Sequence, residues 1–567
     1  PTAALVDLYS GGPGRGVNLV PDPSRRLAYT NDSTEQEITD QGISGELNWV
    51  TPWLGGATLT SISSIRKWDL QSASDLDFSG GNFAVHDFSP QNGQAFKVFT
   101  QELRLAGSTD RVDWMGGLYF DDVKLHRAEA IDLKPDYEKL LSTLLISGLA
   151  GALPPGLINT ANPQNFLAEA AGVAPGTAFI GRAQQDRWNQ DSTSSAAFGN
   201  ATFHITDDFD ITGGARFTHE KKQTQFNYSN PNGGTSCLAA ISTNGIAAAL
   251  AARGVPASVI PALVPTVIGN MCLPWQNPLF NGLKSSDRFT ENEWSGTLKG
   301  SYRFNEEVMV YLSGARGFKA GGFNLARAQS SDGTTSGGSG IRPVTDTQFP
   351  GEFANSFELG TKTTWAGGNL LINAALFHAK YTDYQVNTFS GISWFVLSMP
   401  KLTTQGLDLD LLWKTEIPGL SVQAAATYTD AQFGNKRAPN DPNNVLILLP
   451  GATASFAPKW AASLGGAYQW DVGTNLSGRF NLGLKYTQDY NTSGALGDVY
   501  VQDGYTLVDG RLSIGARNDR WRAELWGVNL TNRTYAQVKY PPALQTGSVN
   551  AFLGAPRTYG VTLHVAL

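Results

Sequence analysis

The final eleven residues, Arg557–Leu567, read RTYGVTLHVAL and alternate between apolar and small or polar side chains. Alternation with a period of two is the pattern of a β-strand whose two faces have different surroundings. A strand at the end of a chain leaves an unpaired edge that invites aggregation, and closing the sheet into a barrel removes such an edge. The ending therefore predicts a barrel whose last strand has one apolar face, formed by Tyr559, Val561, Leu563, Val565 and Leu567.

The same alternation recurs along the chain in eight pairs of segments, each pair joined by a short polar turn. In one pair WSGTLKGSYRF turns at NEE into VMVYLSGARGF, and in another NSFELGTKTTW turns at AGG into NLLINAALFHAKY. Together with the terminal strand these pairs make 17 strands. Much longer connections, such as 128–189, 228–289 and 325–352, separate the pairs. All long connections are therefore expected on one side of the sheet.

This asymmetry is typical of a bacterial outer-membrane barrel, which has strands of about ten residues, short periplasmic turns and long extracellular loops. Trp114, Trp294 and Trp460 are among the tryptophans near strand ends, where indoles prefer the level of the lipid headgroups. A large soluble β-protein with tryptophan in its core is the alternative, but a sandwich would not place every long loop on one side. The predicted fold class is therefore all-β, a transmembrane antiparallel β-barrel.

Composition is compatible with strands that span a membrane. Hydrophobic residues make up 41% and charged residues 16% of the chain, and the mean hydropathy is −0.20. No stretch reaches the run of about 18 to 20 apolar residues that a membrane helix needs. The net charge of −7 argues against nucleic acid as a partner.

Alternation also separates charged side chains from apolar neighbours on the opposite face of each strand. A charge that faces lipid at mid-depth costs about 2 to 4 kcal/mol for Arg or Lys, so these charges are expected to face a polar lumen. Because both signs occur, the lining suits a protein plug that forms salt bridges with the wall better than a filter for small ions. The predicted lumen charges are Glu102, Arg104, Arg216, Glu220, Lys299, Arg303, Glu358, Lys362, Asp408, Asp410, Asp509 and Arg511.

Six stretches together resemble the barrel of TonB-dependent outer-membrane receptors from about residue 40 onward. They are TQELRLAGSTDRVDWMGGLYF, ITGGARFTHEKK, YLSGARGFKAGGFN, NSFELGTKTTW, GVNLTNRTYA and PRTYGVTLHVAL. In that family the terminal strand usually ends in Phe and carries the signal that the barrel-assembly machinery reads. Here Leu567 replaces the Phe, which keeps an apolar end but is expected to weaken recognition.

The resemblance implies about 22 strands around a plug. If the terminal strand is the last of these, the first visible strand, at 42–50, is the sixth. The first five strands and the plug are then expected upstream of Pro1, or on a separate N-terminal chain. Residues 1–40 would form an extracellular loop, and 41–567 the C-terminal part of the barrel.

Two loops have recognisable features. The segment YEKLLSTLLISGLAGAL places Leu140, Leu141, Leu144, Leu145 and Leu149 on one helical face, as either a lid over a ligand or a packed loop helix. Cys237 and Cys272 lie in one loop, and outside the cytoplasm such a pair predicts a disulfide. Closing that loop would contribute roughly 3 to 4 kcal/mol. No His lies near the pair in sequence, so we expect no metal site.

Candidate ligand contacts are loop aromatics and one basic cluster. Trp188, Trp275, Trp394 and Phe395 could stack on a ligand, although packing between loops is the commoner role. In RGFKAGGFN, Arg316 and Lys319 could meet an anionic ligand at the outer rim, or extend toward lipid headgroups.

The chain contains no HExxH, Walker A or GxSxG motif in a suitable context, so we expect neither an enzyme nor a cofactor. The resemblance instead implies energised uptake across the outer membrane of a Gram-negative bacterium, with the TonB complex acting on the plug. The expected ligand is a ferric siderophore or a similar small organic molecule. The alternative is a passive plugless pore or a structural barrel, which would conduct ions without TonB.

Overall fold

A computed structural model describes residues 2–11, 14–17, 22–242, 244–329, 341–389, 393–439, 441, 446–494, 496–543, 545 and 547–566. Leu567, the last residue of the predicted assembly signal, lies outside these residues.

Seventeen strands form the wall, and each pairs antiparallel with the next along the chain. They are β1 (Gln36–Val50), β2 (Thr58–Ser72), β3 (Gly93–Ser108), β4 (Val112–Leu133), β5 (Gly181–His204), β6 (Phe209–Asn227), β7 (Lys284–Arg303), β8 (Val308–Lys319), β9 (Glu352–Trp365), β10 (Leu370–Phe389), β11 (Trp394–Lys414), β12 (Leu420–Phe433), β13 (Trp460–Val472), β14 (Leu476–Thr487), β15 (Tyr505–Ala516), β16 (Trp521–Val528) and β17 (Thr558–Val565). The predicted number and direction of the strands are confirmed. Among the described residues, β1 pairs only with β2, and β17 only with β16.

Shorter elements lie before β1 or in the connections between the strands of the wall, and all except the 3₁₀ turn Ala366–Gly368 lie outside the short hairpin turns. The helices are α1 (Thr2–Tyr9), α2 (Pro135–Ala152), α3 (Phe166–Ala171), α4 (Thr235–Ser242), α5 (Gly245–Ala252) and α6 (Ile260–Met271). Short strands are Ser74–Asp75, Ala84–His86, Gly322–Phe323, Ala328–Gln329, Pro343–Val344, Gln348–Phe349, Tyr490–Asn491, Val501–Gln502, Ala536–Tyr540 and Asn550–Leu553, and 3₁₀ turns are Pro23–Arg25, Pro163–Asn165, Pro278–Phe280, Ala366–Gly368 and Asp498–Tyr500.

The eight short turns within the predicted strand pairs all lie at one end of the wall, as predicted. In the turn before β8, the Asn305 side-chain oxygen accepts hydrogen bonds from the backbone N–H groups of Glu307 and Val308, at 2.9 and 2.8 Å. The carbonyl of Val308 also closes the turn by accepting from Phe304 N–H, at 2.9 Å. Local polar residues therefore fix the reversal and with it the register of the pair.

Two predictions about the opposite end were wrong. The strands are longer than expected: β4 continues to Leu133 and β5 begins at Gly181, which shortens the predicted loop 128–189 at both ends. The connection from β10 to β11 is also short, because β10 runs to Phe389 and β11 begins at Trp394. Strand pairing thus continues beyond the segments that alternation alone marked out.

The register divides the wall into two faces, which we call the polar face and the apolar face. All twelve predicted lumen charges lie on the polar face, because the aligned cross-strand pairs keep the same alternation from β3 to β16. Leu118, Leu298, Leu312 and Phe357 lie on the apolar face, each at least 60% exposed. A transmembrane barrel requires such a face toward lipid.

Buried apolar side chains concentrate outside the wall. The largest core joins α2–α6 with the loops that carry them, 134–180 and 228–283. We call this assembly the loop cap. Among the described residues no single helix is long and apolar enough to cross a membrane, although α4 and α5 together would pass as a bent pair by length and composition.

Candidate functional site

The loop cap is built from the helix that the sequence predicted. Pro135 occupies the first turn of α2, where proline needs no hydrogen-bonded N–H. Leu140, Leu141, Leu145 and Leu149 are each at most 8% exposed. Leu140 belongs to a separate small cluster with Val6 of α1 and Phe83, while the other three pack inside the cap core. Of the two alternatives for this segment, the structure shows the packed helix.

The predicted disulfide is present. Cys237 on α4 and Cys272, which follows α6, are bonded with 5.4 Å between their Cα atoms. Both side chains are fully buried in the cap core. The bond therefore ties the first and last helices of loop 228–283 to each other.

Two of the candidate stacking residues have structural roles instead. Trp188 lies on β5 rather than in a loop, is 0% exposed and packs edge-on against Tyr228, with 6.1 Å between ring centroids. Trp275 is 6% exposed, and its indole N–H donates to the Tyr137 hydroxyl of α2 at 3.0 Å. The expectation that these residues contact a ligand is corrected, because neither presents a free ring face.

A buried ion pair that sequence analysis missed holds the cap to the wall. Arg327 and Asp186 are 1% and 0% exposed at the side chain. The guanidinium donates to both oxygens of Asp186 at 2.7 Å, and also to the carbonyl of Pro274 at 2.8 Å. It lies 4.8 Å from the ring centroid of Phe280. Arg327 thereby joins loop 320–351, β5 and loop 228–283 at one point.

Arg316 does not project toward the lumen rim. It lies on the apolar face of β8, with its guanidinium 4.9 Å from the Trp294 ring centroid and 5.2 Å from that of Phe353. It donates to the Trp294 carbonyl at 3.3 Å and to Glu293 at 3.0 Å. β7 and β8 stop pairing at the Arg316–Gly296 position, so Arg316 satisfies a backbone carbonyl just where the strands separate.

The other basic candidate and the remaining aromatic pair lie at strand ends. Lys319 is the exposed last residue of β8 and shares the polar face. Trp394 and Phe395, predicted as loop aromatics, instead begin β11. Trp394 is 54% exposed and packs against Phe389 at 5.1 Å. The assignment of these two residues to a loop was therefore wrong.

An exposed group of three aromatic rings lies where the first and last long loops meet. Phe78 contacts Tyr540 edge-on at 5.4 Å, and Tyr540 stacks on Phe552 at 5.7 Å. Phe78 and Phe552 remain 41% and 58% exposed. Phe78 has a φ of +52°, which is uncommon for a bulky residue and fixes the direction of its ring. We call these residues the aromatic trio. No sequence spacing could reveal it, because Phe78 is more than 460 residues from the other two members.

The trio lies beside two buried carboxyl groups, Asp75 and Asp77. The backbone N–H groups of Asp77 and Phe78 donate to Asp75 at 3.1 Å, and Gln545 donates to the carbonyl of Asp77. Burial, reinforced by the neighbouring Asp75, raises the pKa of Asp77 to about 8. Asp77 therefore keeps its proton to a higher pH than an exposed carboxyl does.

On the polar face, many of the predicted charges pair with neighbours in the wall. Arg303 binds Asp210 at 3.2 Å, and Arg511 binds Glu524 at 3.0 Å. The Tyr311 hydroxyl donates to Glu358 at 2.5 Å. Wall-to-wall pairs thus account for part of the mixed charge that the sequence analysis attributed to plug contacts. Among the described residues, no three His, Cys, Asp or Glu side chains are grouped to hold a metal ion.

Comparison with known proteins agrees with this geometry. A family model described as TonB dependent receptor-like, beta-barrel matches residues 4–530. The Pesticin receptor of Yersinia pestis is 23% identical over 373 residues, covering 65% of this chain and 43% of that protein. The Ferrioxamine receptor of Yersinia enterocolitica is 27% identical over 287 residues, which cover 50% of this chain and 35% of that protein. The crystal structure of the ferric yersiniabactin uptake receptor from Yersinia pestis superposes with a TM-score of 0.63 at 19% identity, covering 93% and 61%.

The chain therefore belongs to the TonB-dependent receptor-like β-barrel family, whose members are Gram-negative outer-membrane proteins. It spans less than half the length of the curated relatives it matches.

Proposed function

We propose that this protein takes up an iron chelate across the outer membrane. The observation that carries the proposal is a wall with a charged inner face beneath a folded extracellular cap. Such a wall suits a guarded polar lumen, and the first and last long loops present the aromatic trio at the same end as the cap. The printed names of the relatives, among them receptors for ferrioxamine and ferric yersiniabactin, support iron chelates as the ligand class.

The aromatic trio is the proposed first contact for the chelate. Phe78 and Phe552 offer exposed ring faces, and Lys319 offers a positive charge on the polar face. Rings recognise the organic scaffold of a chelator by stacking, whereas a cation attracts its anionic oxygens.

Energy for uptake is proposed to come from the TonB complex acting on a plug domain. In this arrangement the residues before β1 form an extracellular loop, and the chain from β1 onward is the C-terminal part of the barrel. Because β1 begins at Gln36, the predicted boundary at residue 40 moves to residue 35. The twelve charges of the polar face would line the lumen around the plug, and those that lack a wall partner would bind it. The barrel-assembly machinery would read the terminal strand.

Uptake of radioactive iron from ferric siderophores tests the proposal in cells that produce the intact receptor, with and without TonB. We expect uptake only when TonB is present. Phe78→Ala and Phe552→Ala should each raise the chelate concentration for half-maximal uptake about three- to tenfold. The reason is that an aromatic contact is worth about 0.5 to 1.5 kcal/mol.

Phe456→Ala is the matched control, because Phe456 is 50% exposed in another loop outside the trio. Equal uptake without TonB, together with ion conductance of the purified protein in planar bilayers, would support a passive pore instead. TonB-dependent uptake that none of the aromatic substitutions alters would remove the trio from the proposal and leave the transport function intact.

A further inference from the structure

The chain that precedes β1 lies against the loop that carries Phe78. This loop, residues 73–92, connects β2 to β3, and we call it the β2–β3 loop. The backbone N–H of Gly80 donates to the carbonyl of Gly16 at 2.8 Å. A Cβ atom on Gly80 would clash with the carbonyl oxygen of Arg15, and a Cβ atom on Gly16 would likewise clash with its neighbours. Glycine at both positions therefore allows the two backbones to make direct contact.

The side chain of Asp7, on α1, organises the turn that contains Gly16. Asp7 is 2% exposed. Its Oδ1 accepts from the backbone N–H groups of Arg15 and Gly16 at 3.0 and 2.8 Å, and its Oδ2 accepts from that of Gly14 at 2.6 Å. Hydrogen bonds to an ionised acceptor are stronger than those between neutral groups. One buried carboxylate therefore fixes three consecutive residues of the turn.

Helix α1 is itself anchored on the loop cap. Val6 is 0% exposed and packs in a small core with Leu140 of α2 and with Phe83 of the β2–β3 loop. The Tyr9 hydroxyl forms a hydrogen bond with the hydroxyl of Thr143, also on α2, at 2.6 Å. Helix α1 is therefore a fixed support between the loop cap and the β2–β3 loop.

Phe78 lies between two fixed points of the β2–β3 loop. Its own N–H donates to Asp75 at 3.1 Å, and two residues later Gly80 is held by Gly16. The φ of Phe78, +52°, is uncommon for a bulky residue and persists only where the surroundings determine it. Without the second fixed point the backbone is free to relax, and the ring would lose its contact with Tyr540.

We propose that Asp7 is a positioning residue for chelate binding. It orders the turn that holds Gly80, and through Gly80 it keeps the ring of Phe78 in the aromatic trio. The proposal rests on the proposed function, in which the aromatic trio is the first contact for the chelate. Asp7 should therefore change the affinity for the chelate and leave the maximal rate of transport unchanged, as expected for a group that affects binding alone.

Uptake of ferric siderophore by cells that produce the intact receptor tests this role. Asp7→Ala should raise the chelate concentration for half-maximal uptake about threefold, the lower end of the effect of losing an aromatic contact. Asp7→Asn keeps one acceptor oxygen for Arg15 and Gly16, so its effect should be smaller. The double variant Asp7→Ala, Phe78→Ala should need no more chelate than Phe78→Ala alone, because both substitutions act on the same ring.

Asp22→Ala is the matched control. Asp22 also precedes β1 and accepts a backbone hydrogen bond, from the N–H of Ser24 at 3.0 Å. Its removal changes the net charge equally and should leave the half-maximal concentration unchanged. The heat-modified shift on gel electrophoresis checks that each barrel is folded. If Asp7→Ala fails to fold, Gly80→Ala tests the same contact from the other side and should raise the half-maximal concentration to a similar extent.

Hydrogen exchange of the purified receptor separates this proposal from the proposed function. The Gly80 amide, which donates to Gly16, should exchange at least about tenfold faster in Asp7→Ala without any chelate present. An unsubstituted receptor that takes up no ferric siderophore would overturn the proposed function, and this proposal with it, even where Gly80 exchanges faster. Unchanged exchange of Gly80, an unchanged half-maximal concentration, or additive losses in the double variant would overturn the role of Asp7 alone.

Discussion

The wall and the loop cap are stabilised in opposite ways. The wall is a hydrogen-bonded ladder of seventeen strands, in which large apolar side chains such as Leu298 and Phe357 remain exposed to the bilayer. The cap is a small globular unit with its own buried core, a disulfide and a buried ion pair. Lipid supports the first, whereas side-chain packing supports the second. A given substitution should therefore affect one part and spare the other.

Breaking the buried ion pair should cause the largest loss of stability, and we expect this loss in the loop cap rather than in the strands of the wall. Asp186→Ala leaves the Arg327 guanidinium buried without its carboxylate, which costs about 3 to 5 kcal/mol. Hydrogen exchange of the amides in loop 228–283 would measure this loss. Asp136→Ala removes a more exposed ion pair, with Lys139 at 2.7 Å, and should cost less than about 1 kcal/mol. Equal effects of the two substitutions would contradict the assignment of Arg327 as the attachment point.

Removing the disulfide should also destabilise the loop cap, by slightly less than the loss of the buried ion pair. Cys237→Ser with Cys272→Ser opens a loop of 35 residues and should destabilise the cap by roughly 3 to 4 kcal/mol. Thermal unfolding followed by exchange of the α4 and α6 amides would report the loss. Reductant should produce the same shift in the unsubstituted protein and none in the double variant. A shift in the strands of the wall would show that the two parts are not independent.

Charge placed on the apolar face should destabilise the wall alone. Leu298→Arg puts a guanidinium toward lipid near mid-depth, at a cost of about 2 to 4 kcal/mol. Thr297→Arg, at the preceding position of β7, points to the polar face and should be nearly neutral. Urea unfolding of the intact protein in lipid vesicles would compare them. Similar costs for both substitutions would mean that the two faces are wrongly assigned.

The smallest effect is expected from one hydrogen bond on the polar face. Tyr311→Phe removes the donor to Glu358 but keeps the ring, over which Lys299 lies at 5.0 Å. We expect a loss of about 1 kcal/mol in the same urea experiment. Tyr302→Phe is the control, since Tyr302 is 43% exposed on the apolar face. If Tyr311→Phe and Tyr302→Phe lower the free energy of unfolding equally, the hydrogen bond to Glu358 does not stabilise the wall.

The contrast between the two parts also explains what the sequence could predict. Strand alternation is local, so Glu358 and Lys362 could be assigned to one face from a few neighbouring residues. Cysteine pairing within one loop was similarly accessible. The burial of Trp188 could not be predicted from the sequence, because it depends on Tyr228, which follows a different strand. The ion pair of Arg327 with Asp186 could not be predicted either, because the two residues are 141 positions apart. The aromatic trio likewise depends on a contact between distant loops.

Hydrogen exchange of the intact receptor in lipid vesicles, with and without reductant, tests the two-part account most directly. The account predicts that reduction accelerates exchange in α2–α6 at least tenfold and leaves the seventeen strands unchanged. Acceleration that spreads into β4–β7, or a cap that exchanges at the same rate in both conditions, would contradict it.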